Sequence, residues 1–175
     1  MAQFVLSVVG SDRPGLTRAL AAAVLAAGGN WLESHLSRLG GLYVGSVLVE
    51  IPAEGAPALR AAVTAVDAAG LEVRLAPAGA AAEAEVEVGE ALALSLVGQD
   101  QPGIVNQVTG VLSALGANIE SLGTRLSAGA HSGAPLFHMD ARLRLPPGLE
   151  AGAVQAGLEA ISGEIMVDIT LAPAG

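Results

Sequence analysis

Leu6-Ser7-Val8-Val9-Gly10-Ser11-Asp12-Arg13-Pro14-Gly15 and Leu94-Ser95-Leu96-Val97-Gly98-Gln99-Asp100-Gln101-Pro102-Gly103 lie at an offset of 88, and their likeness decides the fold. Carried on through Asn30 and Asn118, that register keeps 10 identities in 25 positions, and many differences exchange Leu, Ile and Val. Past Asn30 the match reads with a slip of one residue. Glu33-Ser34 then aligns with Glu120-Ser121, and Arg38-Leu39 with Arg125-Leu126. Solenoid and propeller repeats have periods of roughly 20–50 residues, so this one is too long for them. It is the length of a small α/β domain, and the chain reads as one domain duplicated.

Each copy spells the same order of elements. Phe4 to Val9 is a short β-branched run that suits a buried strand. Asp12-Arg13-Pro14-Gly15 opens a helix, with Asp12 read as its N-cap and Pro14 in the first turn, where a missing N–H costs nothing. Leu16, Leu20, Ala23, Val24 and Ala27 then fall on one helical face, as do Ile104, Val108, Val111, Leu112 and Leu115. Gly28-Gly29 and Gly116 close these helices. Asn30 to Leu39 and Leu42 to Ile51 form a hairpin around Gly40-Gly41, and Pro52 stops it. An Ala-rich helix over 56–69 and a strand at Leu71 to Leu75 complete the first copy. The second has strands at Ala117 to Leu126 and Leu136 to Leu145, a helix near Leu149 to Ile161, and a strand from Ile165 to Leu171.

Two crossovers around an antiparallel hairpin give an α+β fold: two tandem ferredoxin-like βαββαβ domains, each with two helices on one face of a four-stranded sheet. The expected bounds are 1–77 for the first domain, 78–90 for an acidic Ala/Glu/Gly-rich linker, and 91–175 for the second. Val86 and Val88 could extend the strand that follows. The second hairpin is longer by seven residues on this reading, and its 127–135 loop carries His131.

Composition narrows the function. Eight Lys plus Arg stand against 17 Asp plus Glu, for a net charge of −9. That is a poor footprint for nucleic acid, which needs clustered cations. All eight cations are arginines, so neither a P-loop nor Schiff-base chemistry is available. The chain has no Cys, which removes disulfides, thiolate metal sites and thiol nucleophiles. His35, His131 and His138 lack metal-ligand spacing, and no G-x-S-x-G elbow accompanies the serines. The reading is a cytoplasmic non-enzyme with no metal, no cofactor and no membrane span.

The best candidate site is the junction between the first strand and first helix of each copy. A helix N-terminus offers unpaired N–H groups to an anion such as a carboxylate. Gly15 and Gly103 leave that backbone open, and Asp12 and Asp100 stand beside it. Asn30 and Asn118 carry both donor and acceptor and could clamp both ends of an amino-acid zwitterion. The bland alternatives are an N-cap role for the aspartates and a turn role for the asparagines.

A strand, then Asp12-Arg13-Pro14-Gly15-Leu16, then a helix ending Gly28-Gly29-Asn30, resembles the ACT domain. The stretch Trp31-Leu32-Glu33-Ser34 with Arg38-Leu39-Gly40-Gly41 is more specific. So are Gly116-Ala117-Asn118-Ile119-Glu120, Ser132-Gly133-Ala134-Pro135-Leu136-Phe137 and Val167-Asp168-Ile169-Thr170-Leu171. Together they resemble the glycine cleavage system transcriptional repressor family over essentially the whole chain. The resemblance implies a small cytoplasmic regulator that senses an amino acid, glycine first. It would act on transcription through a partner transcription factor, without touching DNA itself. It also implies a ligand site between two ACT domains, at Asp12, Arg13, Pro14, Gly15 and Asn30 with Asp100, Gln101, Pro102, Gly103 and Asn118. Gln101 stands where the first copy has Arg13, so the two sites need not bind alike. Side-by-side pairing of ACT domains would cover their sheet edges, within the chain or across a homodimer. A ligand-free interaction module, or a regulatory fragment related to ACT-containing enzymes, is the alternative.

Overall fold

A computed structural model describes residues 1–68, 70–78, 89–129 and 134–174. The order is β1 (Ala2–Ser11), α1 (Leu16–Ala26), β2 (Asn30–Leu39), β3 (Leu42–Ile51), α2 (Ala56–Ala68), β4 (Leu71–Pro77), β5 (Ala91–Gln99), α3 (Ile104–Ala114), β6 (Asn118–Ala128), β7 (Pro135–Arg144), α4 (Ala151–Ile165) and β8 (Val167–Pro173). The strands form two antiparallel four-stranded sheets, ordered β2-β3-β1-β4 and β6-β7-β5-β8. This is the βαββαβ fold twice over, in two compact units, Met1–Ala84 and Glu85–Gly175. Their division falls outside the described residues, as do Val86, Val88 and His131.

Alternation builds each core. Phe4, Leu6 and Val8 of β1 and Val47, Val49 and Ile51 of β3 point to the helices, where Leu16, Leu20, Val24, Leu59 and Val63 meet them. Leu92, Leu94, Leu96, Met139 and Leu143 do the same against Ile104, Val108, Leu112, Val154 and Leu158. Among the described residues no polar or charged residue is buried, so both cores are dry and aliphatic. The first hairpin turns on Gly40 and Gly41 with φ of 60° and 84°. Such a pair matches the right-handed twist of the flanking strands.

Four expectations change. Asp12 and Asp100 are not N-caps: that place belongs to Gly15 and Gly103, left-handed at φ 96° and 97°, with no side-chain capping bond. The glycines reverse the chain one turn later than an aspartate cap would, so Pro14 precedes α1. The repeat does not slip after Asn30. Leu36 pairs with Gly45 and Thr124 with Met139, an unbroken offset of 88 through β2 and β6. Both strands carry a bulge at the same place, Leu32 and Glu120, which leaves Glu33 matched to Ser121. Leu39 faces Leu42 and Ser127 faces Leu136, so the second hairpin is longer by six residues, not seven. Its strands reach Ala128 and resume at Pro135, shortening the loop; 130–133 lie outside the described residues. Finally, Ile165 ends α4, where it is buried, instead of starting β8.

The bulge in β6 has an electrostatic consequence. Glu120 accepts hydrogen bonds from Arg144 Nε at 2.8 Å and Arg142 Nε at 3.0 Å. The Arg144 bond, above all, lowers its pKa below the ordinary 4.5. A lowered carboxyl contributes stability above its ordinary value and loses it as pH falls through the lowered one. Glu120→Gln should therefore be less stable than the parent at pH 7, with the gap closing below pH 4.5. Urea midpoints across that range check this; a gap that stays constant in acid refutes it.

Candidate functional site

In the first unit the β1–α1 junction is polar and tied together. Arg38 Nε, at the far end of β2, meets Asp12 Oδ2 at 3.2 Å. The hydroxyls of Thr17, in the first turn of α1, and Tyr43, on β3, share a 2.7 Å hydrogen bond. The Arg13 guanidinium lies over Gly70, so close that a side chain there would run into it. Nothing stands within 4 Å of where a Gly15 side chain would begin. Its backbone, and the uncapped N-terminus of α1 behind it, face a cleft of about 270 Å³ lined by Arg13, Pro14, Gly15, Leu16 and Ala19.

The same place in the second unit is built from different chemistry. Gln101 replaces Arg13, Val105 replaces Thr17, Phe137 replaces Tyr43, and Leu126 replaces Arg38. The Asp100 carboxylate thus has no counterpart of Arg38 beside it. Its backbone N–H donates to Pro135 O at 3.1 Å, tying the junction to β7. Gln101 Nε2 is buried without a hydrogen-bond partner. Pro102 and Gly103 repeat the turn, and Met166, at φ 48°, takes the left-handed place of Gly70.

Asn30 and Asn118 do not join these junctions within a unit. Asn30 pairs with Glu50, which faces Gln3 at the start of β1, whereas Asp12 follows its end. Nine residue steps separate those levels, roughly 30 Å at about 3.3 Å each. Asn118 instead lines a separate cleft of about 550 Å³ with Thr109, Ser113, Gly116, Ala117 and Ile119, at the C-terminal end of α3. Sequence reading missed Thr17, Tyr43 and Arg38 as members of the first junction. The signal available was their joint replacement by Val105, Phe137 and Leu126 in the repeat.

The histidines have local partners. His35 Nε2 lies 3.0 Å from Glu33 Oε1 on the exposed face of β2. His138 Nε2 and Ser127 Oγ are 2.7 Å apart, a diagonal pair across β6 and β7. Among the described residues, no group of three His, Asp or Glu is placed to hold a metal, and no helix is long and apolar enough to cross a membrane.

Fold and junction together define two tandem units of the ACT type. Residues 2–76 match the ACT domain family, and the second unit repeats that fold. The chain belongs to one family with a protein of unknown function from Galdieria sulphuraria, 30% identical over 99% of both chains, with a TM-score of 0.86. It also shares its whole two-unit fold with a candidate glycine cleavage system transcriptional repressor, at 17% identity over 98% of this chain and 96% of that one, TM-score 0.68. Comparison with curated proteins finds no match.

Proposed function

We propose that this chain is a cytoplasmic regulatory sensor of a small amino acid, glycine first, acting on transcription of glycine cleavage genes through a partner protein. The observation that carries the binding part is the first junction. A carboxylate there meets the open N–H groups of α1 and the positive end of its dipole beside Arg13. Asp12 supplies a negative charge for an ammonium. The cleft is smaller than the ~300–1,000 Å³ of drug-sized sites, which suits a small ligand. Asp12 and Asn30 stand at opposite ends of one unit, so they do not hold one small ligand together within it. The glycine and transcription parts rest on the likeness to the candidate repressor. Its fold is shared, and the net charge of −9 agrees with action through a protein instead of DNA.

Thermal melting against a panel of amino acids tests this. Ligand at ten times its Kd adds roughly 1.4 kcal/mol. For units of this size that raises Tm by several degrees. A selective rise is expected with glycine or a close analogue, lost in Asn118→Ala and in Arg13→Ala with the fold intact. No rise with any amino acid at millimolar concentration sinks the proposal.

A further inference from the structure

The sheet faces turned away from the helices differ between the units. In the second unit two neighbouring rows cross β6, β7, β5 and β8 in that order. One row is Gly123, Asp140, Ser95, Thr170, and the next is Ser121, Arg142, Ala93, Ala172. The same rows of the first unit are His35, Ser46, Ser7, Arg74 and Glu33, Leu48, Val5, Ala76. Charge therefore sits on the edge strands of the first sheet and on the interior strand β7 of the second, where the edge positions are small. The outward charges of the first unit satisfy one another, Glu33 with His35 and Arg74 with Glu72. In the second, among the described residues, neither the Asp140 carboxylate nor the hydroxyls of Ser95, Ser121 and Thr170 have a hydrogen-bond or ion-pair partner. All four groups line one depression of about 320 Å³. Arg142 lines it too. Glu120 steadies that side chain by accepting from its Nε at 3.0 Å, and it stays 45% exposed.

We propose that this depression binds a dipeptide with free ends, its ammonium on Asp140 and its carboxylate on Arg142. Asp140 opposes a ligand that is only anionic, such as phosphate. Neither row carries an aromatic ring for a base to stack on. A zwitterion answers both charges, and spacing selects among zwitterions. Asp140 and Arg142 lie two residues apart on one strand, about 6.6 Å. An extended dipeptide spans about the same length, at ~3.3–3.6 Å per residue. A single α-amino acid carries both charges on one residue and is too short to lie along that span. Between its charged ends a dipeptide presents one N–H and one C=O, which need partners once covered. Ser121 on one side of β7, with Ser95 and Thr170 on the other, supplies hydroxyls that both donate and accept. Ala93 and Ala172 in the same rows suit small side chains. The depression shares no residue with either β1–α1 junction.

Titration of the isotope-labelled full chain with glycylglycine, followed by NMR, should move the backbone amide signals of Ser95, Gly123 and Asp140 saturably. Glycine, N-acetylated glycylglycine and glycylglycine amide should each bind about tenfold more weakly or worse, because each loses the span or one charged contact. Asp140→Asn removes a carboxylate without a partner among the described residues, so it should keep the circular dichroism spectrum and lose about tenfold or more in glycylglycine affinity. Gly123→His installs the first unit's residue opposite Asp140. A Cβ there meets only Asp140 O, at 4.0 Å, so the fold accepts it. That variant keeps both charges, fills the depression, and should abolish the saturable shifts. Signals of Gly15 and Leu16 report the first junction separately, so the two sites are read independently. No saturable shift at Ser95, Gly123 or Asp140, glycine binding there as tightly as glycylglycine, or binding that survives Gly123→His overturns the proposal. If Gly123→His misfolds, Asp140→Asn decides.

Discussion

Gly98→Ala should cost about 3 kcal/mol or more, the upper end of what inserting a methyl into a packed site costs. In a unit of this size each kcal/mol moves Tm by about 4–8 °C, so the second unit's transition should fall by more than about 12 °C. The cause is backbone, not side-chain, crowding. Gly98 faces Val167 in the β5–β8 ladder. A Cβ there would stand 2.5 Å from Met166 O and 2.9 Å from Val167 Cα, as well as 2.5 Å from Val167 Cγ1. The valine methyl can rotate away; the carbonyl is fixed by the left-handed turn that leads into β8. Val167→Ala should therefore fail to rescue Gly98→Ala, and rescue would show that side-chain crowding was the whole cost. The first unit repeats the device. Gly10 faces Leu71, and a Cβ there would lie 2.5 Å from Gly70 O. β1 and β5 must each carry glycine at the next-to-last residue because the last strand of the unit starts directly against it.

That repeated device shows what a sequence discloses and what it conceals. The strands, helices and hairpin were legible because burial alternates with a period of two in β1 and β5 and follows one face in α1 and α3. Gly40-Gly41 was legible because only such pairs tolerate two positive φ values cheaply. Ends were harder. Asp12 has the chemistry of an N-cap, yet the left-handed Gly15 decides where α1 begins, and Asp12 goes to Arg38. The slip of one came from aligning Glu33 with Glu120. Pairing shows Glu120 in the bulge, where Leu32 stands in β2, so identity of residue type misled where ladder geometry did not. A further repeat went unread: Leu75-Ala76-Pro77-Ala78-Gly79 returns unchanged as Leu171-Ala172-Pro173-Ala174-Gly175. The candidate site was half legible. Its residue types could be picked out, but strand direction puts Asp12 and Asn30 at opposite ends of β1 and β2.

Gly29→Ala should cost the first unit about 2 kcal/mol, and Ile51→Leu in the same chain should recover at least half of it, within the usual range for overpacking and its relief. Gly29 has a φ outside the left-handed region, so alanine fits its backbone. Stiffening the unfolded chain would by itself favour alanine by about 0.4–1 kcal/mol. Sterics win, because a Cβ would stand 2.5 Å from Ile51 Cγ2 and 3.0 Å from Val24 Cγ1. The second unit has already solved this conflict. Ala117 occupies the place of Gly29 and is buried, while Leu145 and Leu112 occupy those of Ile51 and Val24. Both residues donate a backbone hydrogen bond to the same carbonyl of the preceding helix, Gly29 to Val24 O at 2.9 Å and Ala117 to Leu112 O at 3.0 Å. The backbone is thus alike, and the branch point of the facing side chain decides. Leucine carries no methyl on Cβ, so it clears the space that isoleucine fills. Ile51→Leu alone should cost less than about 1.5 kcal/mol as a volume-conserving exchange. A double-mutant cycle on urea midpoints should show favourable coupling of about 1 kcal/mol or more. Additivity of the two substitutions would mean that Val24, not Ile51, sets the limit, and that the two copies diverged along a different contact.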